Sequence, residues 1–241
     1  MSDFLADAFP AIGRRVPKTA IAALPTPVST HRVSLPSGSF DLGVKHDDET
    51  SAVYGGNKVR KLEYLLRRAG ERGAQRVATF GAAGSNHALA TAIHARDAGL
   101  ECTCFLSHQH RTPNIARTLN MHRQLGTEIL RWGGPIDQVG LFREHLQRRN
   151  AWVIPLGGTC WLGALGFVNA GLELAWQIEQ GLVAKPARIY VASGTSGTAA
   201  GLALGIAAAG LDTEVHAVQV VDNRFGSERC RVPSFGQAAP I

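Results

Sequence analysis

A lysine near the start of a predicted helix combines a reactive residue type with a place that suits chemistry. In YGGNKVRKLEYLL, residues 54–66, two glycines and Asn57 precede Lys58. Asn57 can cap the helix, and the positive end of the helix dipole then lies beside the lysine. That field lowers the pKa of an ammonium group, as an amine that forms a Schiff base requires. Lys61, one helical turn further on, could face the same ligand. The alternative is an ordinary exposed lysine.

A glycine-rich loop, SGTSGT at Ser193–Thr198, lies between a predicted strand and a predicted helix. Successive backbone N–H groups and the start of a helix suit a phosphate group. The loop matches neither the G-x-x-x-x-G-K-[ST] nor the G-x-G-x-x-G pattern, although Asp222 after the next strand leaves a dinucleotide site as a weaker alternative. The other alternative is a tight turn whose small residues serve packing.

A third polar turn occurs in FGAAGSNHALATA, residues 80–92, again between a strand and a helix. Ser85 is placed to cap the helix, or it could supply a catalytic hydroxyl beside an amine base. Asn86 and His87 follow in the first turn, where both can reach a ligand. Neither H-E-x-x-H nor G-x-S-x-G occurs, so a zinc peptidase or an α/β-hydrolase has no sequence support.

These three segments need a scaffold, and the hydrophobic pattern predicts one of alternating strands and helices. We predict strands over 40–46, 76–80, 101–107, 127–132, 151–156, 188–193 and 214–221. We predict helices over 58–72, 86–98, 114–125, 136–149, 162–180 and 197–209. Such alternation favours the α/β class with parallel sheets, whose ligands bind where strands end. The last stretch, 223–241, breaks the pattern and is expected to be a disordered end or the stump of a longer protein.

Composition and charge argue against a nucleic-acid-binding protein, a cysteine-based metal site, a secreted protein and a membrane-spanning protein. The 241 residues are 45% hydrophobic, and the net charge of +6 is spread thinly. The densest basic stretch, Arg60–Arg72, is predicted to be a solvated helix face in which Arg67 meets Glu63 and Glu71, so we expect no nucleic-acid partner. The four cysteines form no paired spacing, which predicts reduced thiols and no metal site. We find no secretory signal or membrane-spanning run, and expect a cytoplasmic protein.

Taken in order, four segments resemble one known family. GGNKVRKLEYLL, GSNH, VIPLGGTCWLGALGFVNAGLELA and VASGTSGTAAGLALG are similar to the D-cysteine desulfhydrase and 1-aminocyclopropane-1-carboxylate deaminase family, which are fold-type II pyridoxal-phosphate (PLP) enzymes. The resemblance covers about residues 24–222. It implies two three-layer α/β domains with mainly parallel sheets and an incomplete large domain. Residues 1–60 and 159–241 would belong to the large domain and residues 61–158 to the small one.

The resemblance also implies roles for individual residues. Lys58 would form the Schiff base with PLP, Asn86 would bond the pyridoxal 3′-oxygen, and Ser85 would be a catalytic hydroxyl near the substrate. Asn57 and Lys61 complete the expected cofactor-binding set. The expected phosphate cup consists of Gly194, Thr195, Ser196, Gly197 and Thr198.

The implied activity is a PLP-dependent lyase or deaminase reaction on a small amino acid, releasing a keto acid and ammonia, in a homodimer. Two departures from the family pattern concern the substrate side: Gly84 precedes Ser85, and the turn after Gly158 reads Thr159-Cys160. Threonine-dehydratase-like β-elimination stays open as an alternative, because small residues follow Ser85-Asn86-His87 as in that broader group. A truncated, non-catalytic PLP-binding homologue is the other.

Overall fold

The computed structural model describes residues 3–133 and 150–220. Within these residues, the helices of eight or more residues are α3 (Asn57–Glu71), α4 (Asn86–Asp97), α5 (Pro113–Gln124), α6 (Trp161–Glu179) and α7 (Gly197–Ala208), preceded by the short α1 (Phe4–Ala8) and α2 (Pro10–Arg15). The strands are β1 (Val28–Leu35), β2 (Gly38–Lys45), β3 (Arg76–Ala82), β4 (Glu101–Ser107), β5 (Glu128–Trp132), β6 (Ala151–Val153), β7 (Arg188–Ser193) and β8 (Glu214–Gln219). These elements confirm the α/β class.

A four-stranded parallel sheet holds the middle of the chain. Its strand order is β5-β4-β3-β6, and every neighbouring pair is parallel. Strand β3 is buried on both faces, with Val77 and Ala78 fully enclosed. Helix α4 packs beside it through small residues, including Ala88 and Ala95. Burial on both faces explains why these strands are continuously apolar in sequence.

A second parallel pair, β7 and β8, is covered by α7, which packs against α6. Phe167, Leu202 and Ile206 form the core of this packing, with Ile189 and Val215 against it. Helices α6 and α7 approach each other closely through glycine. A Cβ at Gly205 would lie 2.4 Å from the carbonyl oxygen of Val168, and one at Gly171 would lie 2.8 Å from the Gly205 carbonyl carbon. These contacts bring the start of α7 beside the start of α6.

The N-terminal strands form an antiparallel hairpin that the sequence pattern did not reveal as one. We predicted a strand over 40–46 but none over 28–35, where β1 lies. Because paired residues share a face, Val33, Leu35, Phe40, Leu42 and Val44 lie on one side. Four of these five side chains are exposed apolar groups: Leu35, Phe40, Leu42 and Val44.

Other boundaries shift by one or two residues, apart from β6. This strand ends at Val153, and not at residue 156, because Pro155 and a 3-10 turn at Leu156–Gly158 follow it. The helix predicted over 136–149 and the final stretch 223–241 lie outside the described residues.

The prediction of a solvated basic face on α3 is wrong at its beginning. Arg60 and Lys61 are each only 1% exposed. Glu63 is also buried, and it accepts hydrogen bonds from the backbone N–H groups of Ile21 and Ala22. Only Glu71 pairs with Arg67, at 2.9 Å. The first two turns of α3 are therefore interior, and the solvated face begins at Arg67.

Candidate active site

The start of α3 is fixed by the turn that precedes it. Gly56 has φ 130°, which favours glycine, and no side chain caps the helix. The Gly56 N–H donates to the Asp47 carbonyl oxygen at 2.8 Å and lies 3.0 Å from the Thr50 hydroxyl. Lys58 is half-buried, and its Nζ donates to the Asn57 side-chain oxygen at 3.0 Å. Burial lowers the pKa of Lys58, as an amine nucleophile requires.

Lys61 lies one turn further along α3, with its ammonium group inside the protein. Its Nζ donates to the Gly157 carbonyl oxygen at 3.2 Å and lies 5.8 Å from the centre of the Phe167 ring. Burial, with the nearby charge of Lys58, lowers the pKa of Lys61 to about 8. A buried ammonium group with one carbonyl partner is suited to binding an anion.

The Ser193–Thr198 loop lies beside that ammonium group. Ser196 has a left-handed backbone, φ 60°, and no side chain caps α7 behind it. A Cβ placed on Gly197 would lie 2.9 Å from Thr159 and 3.4 Å from Lys61 Nζ. Because Gly197 has no side chain, the space between the start of α7 and the Lys61 ammonium group stays open.

The turn at Leu156–Gly158 closes the same region from α6. Gly157 and Gly158 both have positive φ, and the Thr159 hydroxyl lies 2.5 Å from that of Thr195. No side chain caps α6. Helices α3, α6 and α7 thus all start here without a side-chain cap, whereas α4 and α5 are capped by Ser85 and Thr112. The Val59 and Gly197 N–H groups donate to the carbonyl oxygens of Gly56 and Thr195, and a ligand can accept from first-turn N–H groups that have no such partner.

The third polar turn contributes α4. The Ser85 hydroxyl oxygen accepts a hydrogen bond from the Ala88 N–H at 3.2 Å, so the capping role is present, and a catalytic role for this hydroxyl stays a prediction. His87 is buried, with Nε2 3.0 Å from the Thr79 hydroxyl. Burial, with the charges of Lys58 and Lys61, lowers the pKa of His87 to about 3, so this imidazole is neutral at physiological pH.

The contacts that Tyr54 makes were missed by the sequence analysis. The Tyr54 hydroxyl donates to the exposed Asn86 side-chain oxygen at 3.3 Å, and the Tyr54 carbonyl oxygen lies 3.1 Å from Nε2 of His94. Tyr54 directly precedes the glycine pair, which was a signal of its position, but nothing in the sequence indicated which residue its hydroxyl would meet.

The predicted site residues fall into two contacting groups. Lys61, the Gly157–Thr159 turn and the loop containing Thr195 and Gly197 are in direct contact. Asn86 is joined to the α3 side of the site through Tyr54. The charge of Lys58 acts on Lys61 and on His87 of α4, which relates the two groups electrostatically.

The family model described as "Pyridoxal-phosphate dependent enzyme" matches residues 21–233. This match spans most of the chain and includes every residue of the candidate site. The chain belongs to this family. The resemblance inferred from the sequence motifs is thereby confirmed, as is the fold-type II architecture with its mainly parallel sheets.

Several individual PLP-dependent enzymes are similar to the chain. The chain is 36% identical over 237 residues to proteins named D-cysteine desulfhydrase from Salmonella paratyphi B and Salmonella newport, covering 93% of this chain and 70% of each relative. A solved structure described as an ACC deaminase homologue is 30% identical, with a TM-score of 0.72 over 90% of this chain and 66% of that chain. Maize serine racemase, at 20% identity and a TM-score of 0.62, shares the fold. The comparisons support a PLP-dependent lyase or deaminase.

The residues of this PLP-family site fit the cofactor their family uses. Lys61 and the uncapped start of α7 face a space that a Cβ at Gly197 would fill, which suits a phosphate group. Lys58 is a half-buried amine with a lowered pKa, which suits covalent attachment to an aldehyde. In the parts of the chain that the structure describes, no helix is long and apolar enough to cross a membrane.

Proposed function

We propose that the chain binds PLP covalently through Lys58 and acts on a small amino acid, with D-cysteine and 1-aminocyclopropane-1-carboxylate as the first substrates to test. The observation that carries the proposal is the meeting of Lys61, the Thr159 turn and the uncapped start of α7 one helical turn from Lys58. When bound, PLP would supply an electron sink for breaking bonds at the substrate α-carbon. The products would be a keto acid and ammonia.

The side chains of this site would bind, orient and carry protons. Backbone N–H groups of Gly194–Thr198, together with the Lys61 ammonium group, would hold the phosphate through charge-assisted hydrogen bonds. Asn86 would donate its amide N–H₂ to the pyridoxal 3′-oxygen, since its Oδ1 already accepts from Tyr54. The lowered pKa of Lys58 would help its Nζ to release a proton and take it up again. The Ser85 hydroxyl would lie on the substrate side.

Covalent capture tests the lysine assignment. After incubation with PLP and reduction with borohydride, peptide mapping should find the pyridoxyl group on Lys58, and Lys58→Ala should abolish it. Lys185→Ala is the matched control, because Lys185 is half-exposed and pairs with Asp212 at the surface. Labelling that moves to Lys61 or Lys45, or an unlabelled folded protein, would refute the assignment.

Two glycine substitutions test the phosphate cup. Gly197→Ala places a Cβ 2.9 Å from Thr159 and near Lys61, so PLP should bind much more weakly. Each charge-assisted hydrogen bond lost would weaken binding by about 1.5–3 kcal/mol. Gly70→Ala, where no neighbouring atom lies within 4 Å, is the control and should keep the affinity of the unmodified chain. Equal PLP affinity in both variants would contradict the cup.

We further propose that the protein is a cytoplasmic homodimer that does not bind nucleic acid. Cys102, Cys104 and Cys160 are free thiols, and the sulfurs of Cys102 and Cys104 remain unbonded at 3.7 Å, which supports a reducing compartment. The exposed apolar side of the β1–β2 hairpin supports an interface. Sedimentation velocity measures the oligomeric state, and a concentration-independent monomer would refute the dimer.

A further inference from the structure

Asp47 lies at the junction between the turn before α3 and the first turns of that helix. Its carboxylate accepts two hydrogen bonds from Arg60, at 2.9 Å from Nε and 2.7 Å from Nη2. Its carbonyl oxygen accepts from the Gly56 N–H at 2.8 Å and from the Thr50 hydroxyl at 2.9 Å. One residue therefore holds both the backbone just before Lys58 and a side chain just after it.

Arg60 is held on its other side by a buried carboxylate. Its Nη1 donates to Glu173 of α6 at 2.6 Å, and the Arg60 and Glu173 side chains are 1% and 0% exposed. Glu173 also accepts from Lys45 at 2.6 Å and from the Thr26 N–H at 2.8 Å. Such a bidentate, fully enclosed guanidinium has little freedom to move. The position of the Asp47 carboxylate is thus set from the middle of α6.

The charge of the Asp47 carboxylate also acts on the Lys58 amine. Burial lowers the pKa of Lys58, and the negative charge of Asp47 opposes that change. The other titratable groups that face Lys58 are Lys61 on α3 and His87 on α4, and the pKa values of both are lowered by its charge. Asp47 is the negative group in this set.

We propose that Asp47 is a positioning residue for Lys58, held in that role by Arg60 and Glu173. It fixes where α3 begins, and its charge keeps part of the buried Lys58 amine protonated. The proposal rests on the proposed function in that it gives the cofactor lysine its place and protonation state. It concerns three residues outside the expected cofactor-binding set.

The experiment compares Asp47→Asn with Asp48→Asn. Asp48 is the next residue on the 3-10 turn Asp47–Thr50, and its side chain is 77% exposed. The full chain is freed of bound aldehyde with hydroxylamine and dialysis, then labelled with trace acetic anhydride across a pH series. Mass spectrometry of peptides gives the Lys58 labelling rate, with the surface residue Lys185 as internal reference. No cofactor is added, so a failure of PLP to attach to Lys58 would be seen separately, in the borohydride experiment.

Asp47→Asn should shift the midpoint of the Lys58 labelling profile to lower pH, because the ammonium form loses its negative neighbour. At a pH below the midpoint, labelling should be roughly threefold faster. Asp48→Asn should leave the midpoint unchanged, and Asp47→Glu should move it back. Simple loosening of the fold would do the opposite, since exposure raises the midpoint toward that of a free lysine. Indistinguishable profiles for the Asn variants at positions 47 and 48, or a rise for Asp47→Asn, would overturn the proposal.

Discussion

Two lysines one helical turn apart have different partners, and this difference separates their expected roles. Lys58 is half-buried and bonds to the adjacent Asn57, whereas Lys61 is enclosed and bonds across to the Gly157 carbonyl oxygen. Burial lowers the pKa of Lys61, and the charge of Lys58 lowers it further, since like charges close together in the interior disfavour the charged form. Attachment of Lys58 to an aldehyde would occupy its amine and leave Lys61 as the ammonium group beside the phosphate cup.

The pKa of about 8 at Lys61 predicts a pH-dependent affinity for phosphate ligands. Below that pH the side chain is an ammonium group, and above it the amine is neutral and loses its charge-assisted bond. Pyridoxine 5′-phosphate, which has no aldehyde, should therefore bind about tenfold more weakly at pH 9.5 than at pH 7, corresponding to about 1.5 kcal/mol. Calorimetric titration measures this change. Lys61→Gln should remove most of the pH dependence and Lys185→Gln should keep it; the opposite pattern would contradict the role of Lys61.

The Tyr54 hydroxyl predicts an effect on Asn86. Because the hydroxyl donates to the Asn86 Oδ1, it keeps the amide N–H₂ turned away from Tyr54 and available to a ligand. Tyr54→Phe should weaken PLP binding by about 0.5–1.5 kcal/mol without unfolding the chain. Absorbance titration with PLP tests this, with Tyr190→Phe as control because Tyr190 is 63% exposed on β7. If the two variants bind PLP equally well, the Tyr54 hydroxyl does not orient the Asn86 amide for the ligand.

At the residue scale, the sequence predicted which types belong in the site but not how deeply they lie. Lys61 and the glycine loop were predicted to face one ligand, and the structure brings them together. Arg60 and Glu63 were predicted on a solvated face, yet both are buried, because Arg60 pairs with Glu173 and Glu63 with the backbone of Ile21 and Ala22, all far away along the chain. A charged residue paired over more than forty positions leaves no local pattern to detect.

Among the elements, α6 and α7 matter most for the site because both begin at it. Their close approach depends on glycines whose missing side chains admit backbone of the other helix, at Gly171, Gly201 and Gly205. Dense packing of this kind fixes the relative position of two helices within a fraction of an ångström. The contacts along the whole length of α6 and α7 therefore set the distance between the Thr159 turn and the Thr195 loop.

Gly205→Ala should destabilise the protein and weaken cofactor binding together. The added Cβ would lie 2.4 Å from the Val168 carbonyl oxygen, and backbone cannot yield as a flexible side chain does. We expect a loss of about 1–3 kcal/mol in the free energy of unfolding, measured by urea denaturation. Gly70→Ala, in the open part of α3, should be neutral or stabilising by up to about 1 kcal/mol. A neutral Gly205→Ala would show that the helices separate easily.

Strands were predictable where the hydrophobic pattern and the flanking turn residues are clear. The predicted boundaries of β4 and β7 match those observed, because each strand is a short apolar or β-branched run between clear turn residues. Strand β1 was missed because its residues, VSTHRVSL, alternate weakly and include several polar groups. Its pairing depends on β2 and not on a buried face, so periodicity gave no signal.

For the molecule as a whole, the hairpin presents an apolar face that the described residues do not cover. The polar side has the Arg32–Asp41 pair and the Ser34–Ser39 contact, while the other side carries Phe40 and its neighbours. An exposed antiparallel ribbon of this kind promotes association. The division into residues 1–60, 61–158 and 159–241 stays a prediction, and the hairpin lies entirely in the first part.

Leu42→Ser should reduce self-association and the binding of a hydrophobic fluorescent dye, because it removes a 43% exposed leucine from the centre of this face. Val53→Ser is the matched control: Val53 is 68% exposed but lies outside the hairpin. Light scattering and dye fluorescence provide the readouts. If the two variants change both signals equally, the hairpin face is not the site of association.

The uncapped start of α7 has a thermodynamic consequence for the folded state. A phosphate ligand that accepts from N–H groups at this helix start would act as its cap, so heat resistance should depend on ligand concentration. At a hundred times its dissociation constant, such a ligand adds about 2.7 kcal/mol to stability. The melting temperature should therefore climb with the logarithm of pyridoxine 5′-phosphate concentration, and Gly197→Ala should flatten that slope. In this protein, filling the site would therefore raise the stability of the whole fold.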